Sequence, residues 1–184
     1  MSHAGSPVPP MRGADIFARS ATARRLALLA GLGAGALGLN ALSGFATSHA
    51  LMINASPSLP YWAIWTSRTG IPQRGDIIVF TPPASPLLKR HFGTRPQPFG
   101  KIVSGVPGDL VSRDGRTFRV NGRPVATAKP RSRFGEPLAL GPTGRVPENC
   151  YFVTTPHKDG FDSRYAAIGW ICRERMLGTG RPIL

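Results

Sequence analysis

Two side chains in this sequence have the types needed for nucleophilic catalysis. Ser58 lies in Asn-Ala-Ser-Pro-Ser-Leu-Pro (Asn54 to Pro60), and Lys101 lies in Gly-Lys-Ile-Val-Ser-Gly-Val-Pro-Gly-Asp (Gly100 to Asp109). A serine hydroxyl is a weak nucleophile at neutral pH until a neighbouring base takes its proton. Lysine can be that base only where desolvation keeps its amine neutral. Pro57 and Pro60 restrict the backbone around Ser58, which suits a turn that must aim one hydroxyl. Phe99 and Ile102-Val103 flank Lys101 and favour burial of its stem. Taken singly, each residue has a plainer reading, a turn serine and a solvated strand-edge lysine. His91 and His157 offer a Ser-His alternative, but neither stands in a recognisable catalytic context.

Both residues follow a single apolar run. Leu26 to Ala46 contains no charged residue, and its 21 positions would span about 31 Å as a helix, close to the hydrocarbon thickness of a bilayer. Arg12, Arg19, Arg24 and Arg25 precede it against one acid, Asp15. The positive-inside rule then keeps the tail, residues 1–25, in the cytoplasm and exports everything after Ala46. Ser48-His49-Ala50 also fits the end of a cleavable signal peptide, and Arg24-Arg25-Leu26 faintly resembles a twin-arginine signal. The run is longer than a usual signal core, so an uncleaved anchor over residues 26–46 is the expectation, with the catalytic domain over 51–184. A Ser/Lys pair behind such an anchor points to a protease acting where exported chains leave the bilayer.

The exported part carries 19 lysines and arginines against 8 acids. That charge suits anionic headgroups. It lacks the aromatic interleaving of a single-strand binder, so nucleic acid is not the expected partner. Cys150 and Cys172 are the only cysteines. An oxidising compartment would let them pair, and separate reduced thiols are the other reading. Their spacing fits no zinc site, so neither metal nor cofactor is expected.

Glycine (22) and proline (19) are dense enough to favour many short strands over long helices. Strands are expected at Leu51–Asn54, Tyr61–Thr66, Ile77–Phe80, Lys101–Val103, Cys150–Thr154 and Ile168–Cys172. A hairpin of Leu110-Val111 and Thr117–Val120 turns around Asp114-Gly115 and is closed by Asn121-Gly122. Residues 81–98 and 123–148 read as loops. The expected fold is mainly β, an irregular antiparallel domain behind one transmembrane helix, without helical crossovers.

Three blocks, in order, resemble the type I signal peptidase family, and within it the TraF-type peptidases of conjugative transfer. Asn-Ala-Ser-Pro-Ser-Leu-Pro is similar to the nucleophile box S-x-S-[Met/Leu]. Lys101 to Asp109 is similar to the lysine box K-R-x-x-G-x-P-G-D. Phe-Asp-Ser-Arg-Tyr with Gly169 is similar to S-x-D-S-R-x-x-G. The resemblance covers about residues 24–180 and implies a signal-peptidase-like β domain. It makes Ser58 the nucleophile, Lys101 the general base, and Ser56 the hydroxyl that joins the Ser58 N–H in holding the oxyanion. It makes Asp162, Ser163 and Arg164 supports of the active site. It also implies an exported pilin-like precursor as substrate, with the inner membrane and mating-pair or type IV secretion components as partners. Two positions depart from the pattern. Gly160 stands where the family usually has a lysine-bonding serine, and Ile102 stands where arginine usually follows the lysine. Those departures sustain a second reading, a non-catalytic basic scaffold of a secretion apparatus. A self-cleaving protease of the repressor type would instead carry an N-terminal DNA-binding domain.

Overall fold

The computed structural model describes residues 13–54 and 58–183, which form two units, one ending at Thr47 and one beginning at Ser48. The first is a helix, α1 (Gly13–Ser48, 36 residues). Its part from Ala23 to Ser48 is long and apolar enough to cross a membrane, with a mean hydropathy of 1.6. A signal sequence meets the same description. The helix extends past the N-terminal end of the expected span, where residues 13–25 include the good helix formers Ala14, Ala18, Arg19, Ala21, Ala23, Arg24 and Arg25, and past its C-terminal end by Thr47 and Ser48.

Among its described residues the second unit holds eleven strands. Those carrying the larger sheet are β1 (His49–Ile53), β2 (Ala63–Ser67), β3 (Ile77–Phe80), β4 (Phe99–Gly105), β9 (Cys150–Thr154), β10 (Ile171–Cys172) and β11 (Met176–Pro182). All their pairings are antiparallel, in the order β1-β2-β11-β3-β4-β9-β10. A second antiparallel sheet holds β5 (Leu110–Asp114), β6 (Thr117–Val120), β7 (Arg123–Thr127) and β8 (Gly144–Arg145), in the order β7-β6-β5-β8.

The central strands are apolar on both faces because each side of the sheet meets its own core. In β3, Ile78 and Phe80 pack with Leu88, Val103 and Val153, while Ile77 and Val79 pack on the other side with Leu59 and Ile64. In β9, Tyr151 and Val153 join the first group, and Cys150 and Phe152 join a further core with Phe118, Val120 and Tyr165. A continuous apolar run therefore marks a strand buried on both faces.

Four expectations need correction. Residues 81–98 are not all loop: Pro86–Phe92 is a short helix, α2. Ser85 caps it by accepting from the Leu88 N–H at 3.1 Å, and Pro86 opens it. Gly93 closes it with φ 82° and donates to the Lys89 carbonyl. Residues 123–148 contain β7 and β8. Asn121-Gly122 opens a second hairpin into β7, and its φ values of 48° and 80° are those a tight two-residue turn requires. The expected strand at Ile168–Cys172 is reduced to Ile171–Cys172, because Gly169 turns with φ 65°. In addition β11, at the centre of the larger sheet, had no counterpart among the expected strands. Its glycines carry the reason: a Cβ on Gly180 would come within 2.4 Å of Ile64 Cγ2. Close packing of β2 excludes the bulky residues that advertise a strand.

Candidate active site

Lys101 sits in the middle of the larger sheet. It pairs with Ile78 across β3–β4 and alternates with buried Val103 on the same face, so its side chain points toward apolar core. Only 5% of the residue is exposed. Its Nζ lies 5.4 Å from the centroid of Phe99. Phe99 is held by Phe92 of α2 at 4.9 Å and by Phe80 at 6.0 Å. Desolvation lowers the Lys101 pKa from 10.5 to about 8; the Asp162 charge opposes this and the Arg164 charge assists it. At pH 7 roughly a tenth of such a lysine is neutral, about 300-fold more than of a solvated one.

Ser58 reaches the same region from a turn. Asn54 ties that turn down, its Nδ2 donating to the carbonyls of Leu59 at 3.1 Å and Tyr61 at 2.6 Å, while its N–H donates to Trp62 O. Leu59, the neighbour of Ser58, is buried over Gly100, where a Cβ would stand 3.4 Å from its Cδ1. The residue after the serine therefore packs on the residue before the lysine. Ser58 and Lys101 both line a cleft of about 990 Å³. One wall is apolar, with Met52, Leu59, Ile64 and Phe99, and another carries Lys129, Arg131 and Arg133. Ser56 lies outside the described residues. A second cavity of about 420 Å³, between His49, Trp65 and Asp76, contains none of the candidate residues.

Asp162, Ser163 and Arg164 are buried as one hydrogen-bonded block. Asp162 receives Arg164 Nε on one oxygen and a terminal guanidinium nitrogen on the other, each at 2.8 Å. The Thr155 N–H donates to the same carboxylate at 2.9 Å. Arg164 also donates to the carbonyls of Thr127 and Gly160 at 3.0 Å. Ser163 Oγ accepts from the Val153 N–H at 3.0 Å, and its own N–H donates to Val153 O. The block thus fastens the 160s loop to β9, next to the lysine strand. Cys150 and Cys172 form a disulfide between directly paired positions of β9 and β10, at the other end of that loop.

Asp109, at the end of the lysine box, closes its turn. Burial opposes ionisation there, but the Val106 N–H, Asn121 and Arg74 all donate to the carboxylate and hold its pKa below the usual range. His91 and His157 stand in the cleft wall. His91 meets Glu136 at 3.2 Å and stacks on Phe134, and His157 Nδ1 accepts from the Asp159 N–H at 3.2 Å. Among the described residues no cluster could hold a metal ion.

The family described as signal peptidase, peptidase S26, matches residues 24–184. The chain belongs to this family. It is 31% identical over 108 residues to signal peptidase I of Leptolyngbya laminosa, an overlap of 58% of this chain and 50% of that protein. The chain thus spans about half the length of that curated relative. A signal peptidase I from Enterococcus faecalis V583 is 26% identical, with 59% of this chain and 96% of that one covered and a TM-score of 0.36. Within the family match, Ser58 and Lys101 line one cleft, and Gly160 and Phe161, just before the buried Asp162 block, line it too.

Three contributors to the site were not expected from the sequence. Asn54 fixes the serine turn, and its place at the head of a Pro-flanked segment was a legible signal for an Asx-type tether. Helix α2 supplies the wall through Phe92; Ser85-Pro86 and Gly93 were its cap signals, hidden by the surrounding prolines. Thr155 bonds the Asp162 carboxylate, and no local motif marks it.

Proposed function

We propose that this chain is a membrane-anchored serine endopeptidase that cleaves exported precursor proteins, with Ser58 as nucleophile and Lys101 as general base. One observation carries the reading: a lysine desolvated until its pKa falls to about 8 lines the same cleft as Ser58. A scaffold has no use for a lysine held in apolar surroundings at a cost in stability. Ser58 Oγ attacks the scissile carbonyl and passes its proton to neutral Lys101. The Ser58 N–H, with the Ser56 hydroxyl, bears the oxyanion. Lys101 then protonates the leaving amine and draws a proton from the water that hydrolyses the acyl-enzyme. The apolar wall suits an extended chain with small side chains beside the scissile bond. The anchor holds the cleft at the outer face of the inner membrane, where a signal segment emerges. A pilin-like precursor of a conjugative apparatus is the substrate that the short Ser-Leu-Pro box favours, with type IV secretion components as neighbours.

The test is precursor processing in cells lacking other signal peptidases. Ser58→Ala and Lys101→Ala should each abolish maturation while the protein still folds and inserts, since the two act as one unit. Full maturation by Ser58→Ala would overturn the reading.

A further inference from the structure

The lysine strand and β9 run antiparallel with Ile102 opposite Thr154 and Val103 opposite Val153. Thr155 is the residue just past the end of β9, and extending that register by one step sets it opposite Lys101. Side chains directly opposite in an antiparallel ladder share a face, with Cβ atoms about 5 Å apart. Thr155 is buried, and its hydroxyl is oriented: Oγ1 donates toward Asp162 Oδ2 at 3.3 Å and His157 O at 3.4 Å, and a guanidinium nitrogen of Arg164 stands 3.5 Å from it. With its proton committed to these acceptors, the oxygen keeps a lone pair for an amine. Lys101 Nζ has no hydrogen-bond partner among the described residues.

Gly160 makes the position of this hydroxyl informative. A Cβ on residue 160 would stand 1.7 Å from Thr155 Oγ1 and 2.9 Å from the Arg164 guanidinium. The space that a side chain at 160 would occupy is therefore filled by the threonine hydroxyl, and glycine is what admits it. A polar side chain at 160 and the hydroxyl at 155 are alternatives for one place beside the lysine.

We propose that Thr155 is a positioning residue for Lys101, its hydroxyl accepting from the lysine amine and holding it toward Ser58 when substrate closes the cleft. Hydrogen bonds of this kind are often long in the free enzyme and tighten in the complex. The inference rests on the Ser58/Lys101 reading above, and it assigns to β9 the orienting role that Gly160 cannot fill.

The experiment uses the full-length protein in detergent with a quenched-fluorescence peptide carrying alanine at the −3 and −1 positions. Thr155→Val keeps the shape and the backbone N–H that serves Asp162. It should lower kcat by about 10- to 100-fold with KM changed by less than about threefold, because the lost contact acts on the base and not on substrate binding. Thr155→Ser should restore most of kcat. Gly160→Ser alone should impair the enzyme by crowding Thr155, and adding Thr155→Ala should return kcat toward the wild type, a coupling that independent sites do not show. If Thr155→Val fails to fold, the Thr155→Ala and Gly160→Ser cycle decides the matter. Unchanged kcat in folded Thr155→Val, or additive losses in the cycle, overturn the positioning role while an inactive Ser58→Ala leaves the dyad standing. Cleavage by Ser58→Ala at the wild-type rate overturns the dyad itself.

Discussion

The two halves of the candidate site are built in opposite ways. Lys101 belongs to β4, an interior strand of a seven-stranded sheet, where it pairs with Ile78 and shares a face with Val103 and Phe99. Ser58 belongs to a turn that hangs on Asn54 and on one buried neighbour, Leu59. The difference follows from the chemistry. A base made from lysine must have its charge penalised, and only a preformed, water-poor surround does that. A nucleophile needs only direction, which a short tethered turn supplies. The lysine half should therefore resist local changes and fail with the fold. The serine half should lose activity with little loss of stability.

The strongest way to break the lysine half is through the buried ion pair beneath it. Asp162→Asn or Arg164→Met leaves an unpaired charge in a fully buried block and should cost about 3–5 kcal/mol. Denaturant unfolding at pH 7 measures it; a loss below 1 kcal/mol would mean that the block does not brace β9.

The disulfide sharpens the same half from the other end. Its half-cystines are 22 positions apart, and removing it as Cys150→Ser with Cys172→Ser should lower stability by about 3 kcal/mol. The residual activity of the folded enzyme should stay near wild type, because the bridge contacts neither Ser58 nor Lys101. Thiol labelling of the wild type isolated from cells under denaturing, non-reducing conditions should find no free cysteine.

Lys101 should itself be a stability liability, and the sign is definite. Its folded pKa, about 8, lies below its unfolded value of 10.5, so between these values the unfolded chain binds more protons and stability rises with pH. Below pH 8 the full penalty, about 3 kcal/mol, is present. Lys101→Met should therefore be inactive yet more stable than wild type at pH 7, with the advantage shrinking toward pH 10. Urea midpoints across that range provide the check, and a Met variant less stable at pH 7 would contradict the burial argument.

The smallest stability effect belongs to the serine turn. Asn54→Ala removes the side-chain hydrogen bonds to the Leu59 and Tyr61 carbonyls and should cost about 1–2 kcal/mol of stability. Its kcat should nevertheless fall about tenfold or more, since misdirection of the nucleophile is penalised steeply. Equal kcat in this variant would show that the Asn54 side chain does not direct Ser58.

The sequence was legible where one local cause dominates. Ile77–Phe80 and Cys150–Thr154 are found at their expected bounds because apolar, β-prone runs leave little choice. Ser58 and Lys101 were singled out by residue type and neighbours, and both line one cleft. What escaped depends on partners distant in the chain. The depressed pKa of Lys101 arises from burial beside Ile78 and Phe99, with Asp162 opposing it and Arg164 assisting, and only the fold brings these groups together. Thr155 and Gly160 have meaning only as a pair that shares one small volume. Strand β11 is written in glycines that a close neighbour demands, so its propensity runs against its place. Helix α2 is the exception, a signal present in Ser85-Pro86 and Gly93 but outweighed by the prolines around it.

The most direct test of the central claim is the pH dependence of kcat for peptide cleavage by the full-length wild type, set beside Lys101→Arg and His157→Ala. If Lys101 is the base, kcat rises with pH through about 8 as the amine loses its proton, and His157→Ala keeps that profile. Lys101→Arg is inactive at every accessible pH, because guanidinium does not deprotonate there. A pH profile that is lost in His157→Ala, or substantial turnover by Lys101→Arg, would show that another group activates Ser58.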